Sequence, residues 1–325
     1  MSTKTLFIDG RELVITDNST KKFRYIILDG KKEDVVEHII EDAQDTFREF
    51  KYAKFFPRIG LVISDQEGGT FMSADSVKAI IYVSLSHYHE RIPKMLEYQG
   101  TIELTSALEH EIAHLYHQRQ SNYLVLKAKI RNKTYVKAIR AIPLYKLIFH
   151  EWYGYLRVEV QDFFMKLLSE GIADHIRKTG AEKIEFDEDY FNYFHEAAVK
   201  AAVYFKQQFQ AIIPKEKALA AQKKVKEFKA LTNGCPYRIG PHMVYTILYF
   251  NKNVDLEDIF KMKSYHKFAR LYAETMLVNK REPIVVSTTG KFNAILDYNE
   301  LLAEIQASYK KSNSSKSLWK RVFGR

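Results

Sequence analysis

Residues 104–120 read LTSALEHEIAHLYHQRQ and form the most informative stretch of the chain. Residues 110–114 form an H-E-x-x-H sequence, and the apolar residues around it recur at helical spacing. Residues four apart lie on the same face of a helix, so His110 and His114 can point at one metal ion. The Glu111 carboxylate can lie beside that ion without binding it. The stretch therefore predicts an active-site helix that carries two metal ligands and a carboxylate base.

A third ligand is expected farther along the chain, because a catalytic zinc usually has three protein ligands and keeps a fourth position for water. The best candidate is Glu170 in the sequence SEGIAD, 56 residues after the second histidine and on a different predicted helix. Asp174 falls on the same helical face and can accept the outer N–H of a ligating histidine. The small side chains of Gly171 and Ala173 are expected to let this helix approach the first one closely.

The pair HEIAH and SEGIAD resembles the gluzincin metallopeptidases, whose third ligand is a glutamate on the next major helix. EGIADHIR also resembles the corresponding stretch of plant basic secretory proteins, and the resemblance covers roughly residues 100–180. It implies one Zn²⁺ per chain in a zincin-like fold. The residues to which it assigns roles are the ligands His110, His114 and Glu170, the general base Glu111 and the supporting carboxylate Asp174.

Gluzincins commonly add a tyrosine or histidine from a later helix, which donates a hydrogen bond to the tetrahedral oxyanion. Tyr237 opens the sequence YRIG, which resembles the Y-x-x-G pattern found at that place in several members. The resemblance makes Tyr237 the first candidate and His242 the second. In a chain with 21 tyrosines, a core or capping role is the competing interpretation of Tyr237.

His117 also follows the motif, yet its position excludes it from the same metal shell. A helix advances about 100° and 1.5 Å per residue, so His117 returns to the face of His110 but lies nearly two turns away. We expect His117 to line the cleft or to bind solvent.

The remaining pattern predicts an α+β fold. A small mixed or antiparallel N-terminal sheet accompanies the active-site helix, and a mostly helical part follows. Predicted strands lie within 4–28, at 58–64 and at 78–86. The predicted helices are 33–50, 104–120, a long segment ending near 178, 189–212, 215–231, 237–250, 265–279 and 294–309. The predicted domain organisation has three parts. Residues 1–120 contain the N-terminal sheet and the active-site helix, residues 121–310 form the mostly helical part with the third ligand, and residues 311–325 form a basic, disordered tail.

Composition favours a packed protein over a disordered one, since 46% of the 325 residues are hydrophobic. The single cysteine, Cys235, excludes an intramolecular disulfide framework and is expected to be a core residue. The N-terminus lacks the pattern of a signal peptide, and no apolar run has the length of a membrane span. These features predict a cytoplasmic location.

Basic residues are concentrated in two places. Six lie in the last sixteen residues, and this segment therefore contributes more to the net charge of +10 than the rest of the chain does. Eight more lie between Ile112 and His150, where acidic residues are absent. A solvated helix is the simplest interpretation of the second group, and residues 127–146 are also the candidate lid over the site. Contact with nucleic acid or an anionic membrane surface remains open.

Together these patterns predict a zinc-dependent metallopeptidase that acts on a peptide or protein substrate. Two alternatives stay open. One is a metalloprotease associated with DNA or a membrane surface through its basic segments. The other is a non-catalytic binding protein that contains zinc. Glu111 argues against the second, because a purely structural zinc site does not require that carboxylate.

Overall fold

The computed structural model describes residues 1–28, 30–65, 71–99, 104–123, 129, 132–133, 147–179, 187–213, 227–232, 234–287 and 294–308. The chain divides into two compact units. One comprises residues 1–122 and 176–184, and the other comprises residues 123–175 and 185–325. The N-terminal sheet is followed along the chain by a mostly helical part, which confirms the predicted α+β class.

The first unit contains seven strands, four α-helices and a short 3-10 helix within its described residues. The strands are β1 (Ser2–Ile8), β2 (Arg11–Asn18), β3 (Tyr25–Leu28), β4 (Lys31–Asp34), β5 (Arg58–Ser64), β6 (Met72–Asp75) and β7 (Ile80–Ser84). The helices are α1 (Lys21–Arg24), α2 (Val35–Glu49), α3 (Leu85–Gln99) and α4 (Thr105–Ser121), and the 3-10 helix is Lys51–Phe55.

Five of these strands form a mixed sheet in the order β1-β2-β5-β7-β6. The three central strands β2, β5 and β7 are parallel, whereas the edge strands β1 and β6 are antiparallel to their neighbours. Ile15, Leu61 and Ile81 are in register across the central strands, and each is at most 2% exposed. This buried row is the sheet side of the core of the first unit.

Helices α2 and α4 pack against each other and share the apolar layer with the sheet. Ala43 and Phe47 of α2 and Leu108 and Ile112 of α4 line one small cavity of about 10 Å³ together with sheet residues. Since each residue turns a helix by about 100°, His110 lies about 200° around α4 from Leu108. The aliphatic face of α4 therefore packs on the sheet, while the histidine face is directed away from it.

Several elements of the first unit differ from the sequence prediction. The predicted strand 78–86 ends at Ser84, and helix α3 follows at once with Pro93 in its interior. Proline removes one helical hydrogen bond, but the buried side chains of Leu85, Tyr88 and Ile92 hold α3 in place. Strand β6 and strand β4, which pairs with the predicted strand β3 in a separate hairpin, were also missing from the prediction.

The second unit is mostly helical. Its helices are α5 (Leu147–Thr179, of which 176–179 belong to the first unit), α6 (Glu188–Ile212), α7 (Pro236–Phe250), α8 (Leu256–Phe260) and α9 (Tyr265–Val278). Residues 227–232 and 298–308 are also helical, and β8 (Val285–Val286) pairs in parallel with β9 (Leu296–Asp297). Aromatic rings fill the core, and Phe163 stacks on Phe205 with 4.0 Å between ring centroids.

Two glycines bring α5 and α7 into backbone contact. A Cβ atom built on Gly240 would lie 2.5 Å from the carbonyl oxygen of Leu167 and 2.7 Å from the Cα of Gly171. A Cβ on Gly171 would lie 2.8 Å from the backbone of Gly240. At Gly171 the close approach that the missing side chain allows is to α7, and its predicted role in the approach to the histidine helix stays a prediction.

We expect Gly240→Ala to lower the free energy of unfolding by about 2–3 kcal/mol, because the added methyl group meets backbone atoms that can move only with their helices. The higher helix propensity of alanine, about 1 kcal/mol, offsets part of this cost. Gly234→Ala is the matched control, since no atom lies within 4 Å of the Cβ position at Gly234. Urea unfolding measures both variants. Equal stability of the two variants would contradict the tight crossing.

Cys235 is buried, and burial raises the pKa of its thiol to about 11. The thiol is therefore protonated at neutral pH, in keeping with the core role expected for it. None of the helices named above combines the length and the hydropathy that a bilayer-spanning helix requires. The basic tail at 311–325, most of the candidate lid at 127–146 and most of the predicted helix 215–231 lie outside the described residues.

Candidate metal centre

The two histidines of the H-E-x-x-H sequence are one turn apart on α4 and face each other. The Nε2 atoms of His110 and His114 are 3.2 Å apart, and the ring planes are inclined at 85°. His110 is buried, with 8% of its surface exposed, and His114 is partly buried. The helix thus presents two imidazole nitrogens to a single point.

Glu170 of α5 completes a group of three potential metal ligands. One ligand atom each from His110, His114 and Glu170 can be chosen so that all lie within 4.8 Å of one another. This is the group that the sequence analysis assembled from two separate motifs. The structure therefore contains a His–His–Glu arrangement within metal-binding distance.

The spacing of this group fits a small divalent ion. Two ligands that each lie about 2.0–2.1 Å from a tetrahedral zinc are about 3.4 Å apart, close to the 3.2 Å between the two imidazole nitrogens. The other ligand-atom pairs of the group also lie within 4.8 Å. Two neutral imidazoles and one carboxylate are also a donor set that zinc accepts.

Glu111 follows the first histidine on α4 and is only 9% exposed. Consecutive helical residues differ by about 100° in direction, so its carboxylate does not project along the His110–His114 line. That direction suits a group that acts beside the ion instead of binding it. Among the described residues, the metal-ligand group indeed consists of the two histidines and Glu170 without Glu111.

Asp174 and His117 are both deeply buried. Asp174 lies one turn beyond Glu170 on α5 with no exposed surface, and it contributes, after burial and Tyr245, to the raised pKa of Tyr190. Its proposed support of a ligating histidine stays a prediction. His117 is 1% exposed, which disagrees with the expectation that it binds solvent, and it is not part of the ligand group.

The two oxyanion candidates occupy different environments on α7. Tyr237 lies in the first turn and is 39% exposed, whereas His242 has no exposed surface. The Nε2 atom of His242 is 3.3 Å from His195 Nδ1 and 3.3 Å from the Tyr272 hydroxyl. Tyr237 is therefore partly exposed, while the enclosure of His242 gives no support to a contact with substrate.

The surroundings of His242 also keep it neutral. Burial, with smaller contributions from His195 and Arg281, lowers the pKa of His242 to about 3. Burial likewise lowers the pKa of His195, and Arg281 adds to that effect. At neutral pH His242 is therefore an uncharged imidazole that is buried among α6, α7 and α9.

One residue near the histidine helix was missed by the sequence analysis. The backbone N–H of Leu104, at the N-terminus of α4, donates a 2.8 Å hydrogen bond to Asp42 Oδ2 of α2. The two residues are 62 positions apart, so no local pattern connects them. Asp42 has the ordinary appearance of a polar position on an amphipathic helix.

Comparison of the chain with protein-family models, with curated proteins and with solved structures finds no match. The geometry of the site and the sequence motifs are therefore the basis for any statement about function.

Proposed function

We propose that this chain is a zinc-dependent metallopeptidase whose ion is held by His110, His114 and Glu170. The observation that carries the proposal is the convergence of these three side chains from two helices, with ligand atoms within 4.8 Å of one another. The resemblance of HEIAH and SEGIAD to the gluzincin motifs supports the same assignment. Together they favour a catalytic site over a structural one.

The donor set itself supports an open, catalytic coordination. Catalytic zinc sites have three protein ligands and keep a position for water or substrate, whereas structural sites are closed by four. The group in this chain contains three members among the described residues. Zinc at such a site makes water more acidic and polarises a carbonyl group.

Glu111 and Tyr237 have separate roles in the proposed hydrolysis. The Glu111 carboxylate accepts a proton from the attacking water and then transfers it to the nitrogen that leaves the scissile amide. Tyr237, a partly exposed residue in the first turn of α7, has the role that the gluzincin resemblance implies, and its hydroxyl donates a hydrogen bond to the oxyanion of the substrate. The proton balance closes, because water supplies the hydroxyl group of the new acid and the proton of the new amine.

The test uses the purified full-length protein. Metal analysis should find about one zinc per chain, and a mixed fluorogenic peptide library should be hydrolysed. A chelator such as 1,10-phenanthroline should stop hydrolysis, and added Zn²⁺ should restore it. A protein that takes up no zinc would contradict the whole proposal. Zinc uptake without hydrolysis of any peptide would instead favour the non-catalytic binding protein.

A further inference from the structure

Helix α4 begins without a cap of its own. Its N-cap residue is Leu104, which has helical backbone angles (φ −107°, ψ −6°) and a side chain with no hydrogen-bonding atom. The first turn contains no acidic residue. Since the first N–H groups of a helix have no partner within it, this N-terminus requires an acceptor from elsewhere.

Asp42 supplies that acceptor from a neighbouring helix. Its Oδ2 atom receives the Leu104 N–H at 2.8 Å, within the usual range of an N–H···O hydrogen bond. The carboxylate also lies at the positive end of the α4 dipole, where a negative charge is favourable. A conventional N-cap residue is adjacent in sequence to the helix that it caps. This bond instead joins α2 to α4, and its two residues are 62 positions apart in the sequence.

The bond adds a directional contact to the apolar packing of α4. Leu108 and Ile112 are buried and hold α4 against the sheet, but their contacts are non-directional. The bond at Leu104 supplies a fixed point at the N-terminus of the helix. Because α4 rises about 1.5 Å per residue, His110 and His114 lie about 9 Å and 15 Å from this anchor on the same stiff element.

We propose that Asp42 is a positioning residue for the metal ligands His110 and His114. The inference rests on the proposed metal function and extends it to a residue on α2. Metal sites tolerate deviations of only about 0.2 Å in ligand distances, so a small axial shift of α4 weakens binding. Asp42 is not a member of the ligand group, and it contacts α4 through its bond to the backbone N–H of Leu104.

The experiment compares Asp42→Ala with Asp42→Asn in the full-length protein, using Zn²⁺ affinity from competition with a chromophoric chelator. We expect Asp42→Ala to weaken Zn²⁺ binding about tenfold. Asp42→Asn keeps an acceptor oxygen at the same place and should remain within about threefold of wild type. The visible spectrum of the Co²⁺-loaded protein should change in Asp42→Ala and return to the wild-type form in Asp42→Asn.

The matched control is Asp45→Ala, which removes the same charge from α2 at an exposed carboxylate that pairs with Arg48. It should leave both the affinity and the spectrum unchanged. If Asp42→Ala does not fold, Asp42→Leu removes the acceptor while keeping a similar side-chain length. Wild-type Zn²⁺ affinity in a folded Asp42→Ala or Asp42→Leu protein overturns the positioning role alone. Absence of zinc uptake by the wild-type protein overturns the metal proposal and this inference together.

Discussion

Glu111→Gln should lower kcat for peptide hydrolysis by about 10²–10⁴-fold while the zinc content stays at the wild-type level. The amide keeps the size of the side chain but cannot accept a proton from water at neutral pH. The three proposed ligands are untouched, so the ion should still bind. Steady-state hydrolysis of the best peptide from the library, together with metal analysis of the same sample, measures both effects.

Glu109→Gln is the matched control for this variant. It makes the same chemical change two residues earlier on α4, about 200° away around the helix. Its activity should stay close to that of the wild type. Hydrolysis that survives Glu111→Gln in a folded protein would exclude the general-base role, whereas equal losses in both variants would point to a general effect of charge on α4.

Glu170→Ala and His114→Ala should each remove zinc from the purified protein and abolish hydrolysis. Each change takes one of three proposed ligands from the site, and two ligands alone bind zinc far more weakly. Metal analysis after dialysis against a weak chelator measures the loss. Circular dichroism of each variant shows whether the helices are intact, so that unfolding is not mistaken for loss of a ligand.

His117→Gln and Asp174→Asn test the limits of the ligand group. His117 lies outside the ligand group, so the His117→Gln protein should retain its zinc. Asp174→Asn should weaken zinc binding by about 10–100-fold if its carboxylate supports a ligating histidine. If Glu170→Ala keeps its zinc while Asp174→Asn loses it, the third ligand has been assigned to the wrong carboxylate.

The features that could be predicted from the sequence are those with a local signal. Helical periodicity placed α2, α4, α6, α7 and α9 within a few residues of their observed bounds. The spacing within HEIAH put both imidazoles on one face, and the observed 3.2 Å between their nitrogens follows from that spacing. Glu170 required a second motif, because 56 residues separate it from His114.

Features that depend on distant contacts were missed or misinterpreted. Helix α3 was missed because it contains Pro93, and proline usually breaks a helix. In the structure, the packing of the buried apolar residues outweighs the one hydrogen bond that the proline removes. Gly171 was recognised as a point of close approach, but a missing side chain does not say which helix will approach it. The bond from Leu104 to Asp42 depends on the packing of α2 against α4, and neither residue has an unusual sequence context.

The parallel centre of the N-terminal sheet bears on how this part of the protein folds. Strands β2 and β5 are separated by residues 19–57, so their pairing closes a long loop. Closing such a loop loses entropy before any strand contact is gained, so pairing of this kind is slow compared with formation of a helix. Helix α4 packs its aliphatic face on this sheet. We therefore expect a refolding chain to acquire its native sheet before its metal affinity.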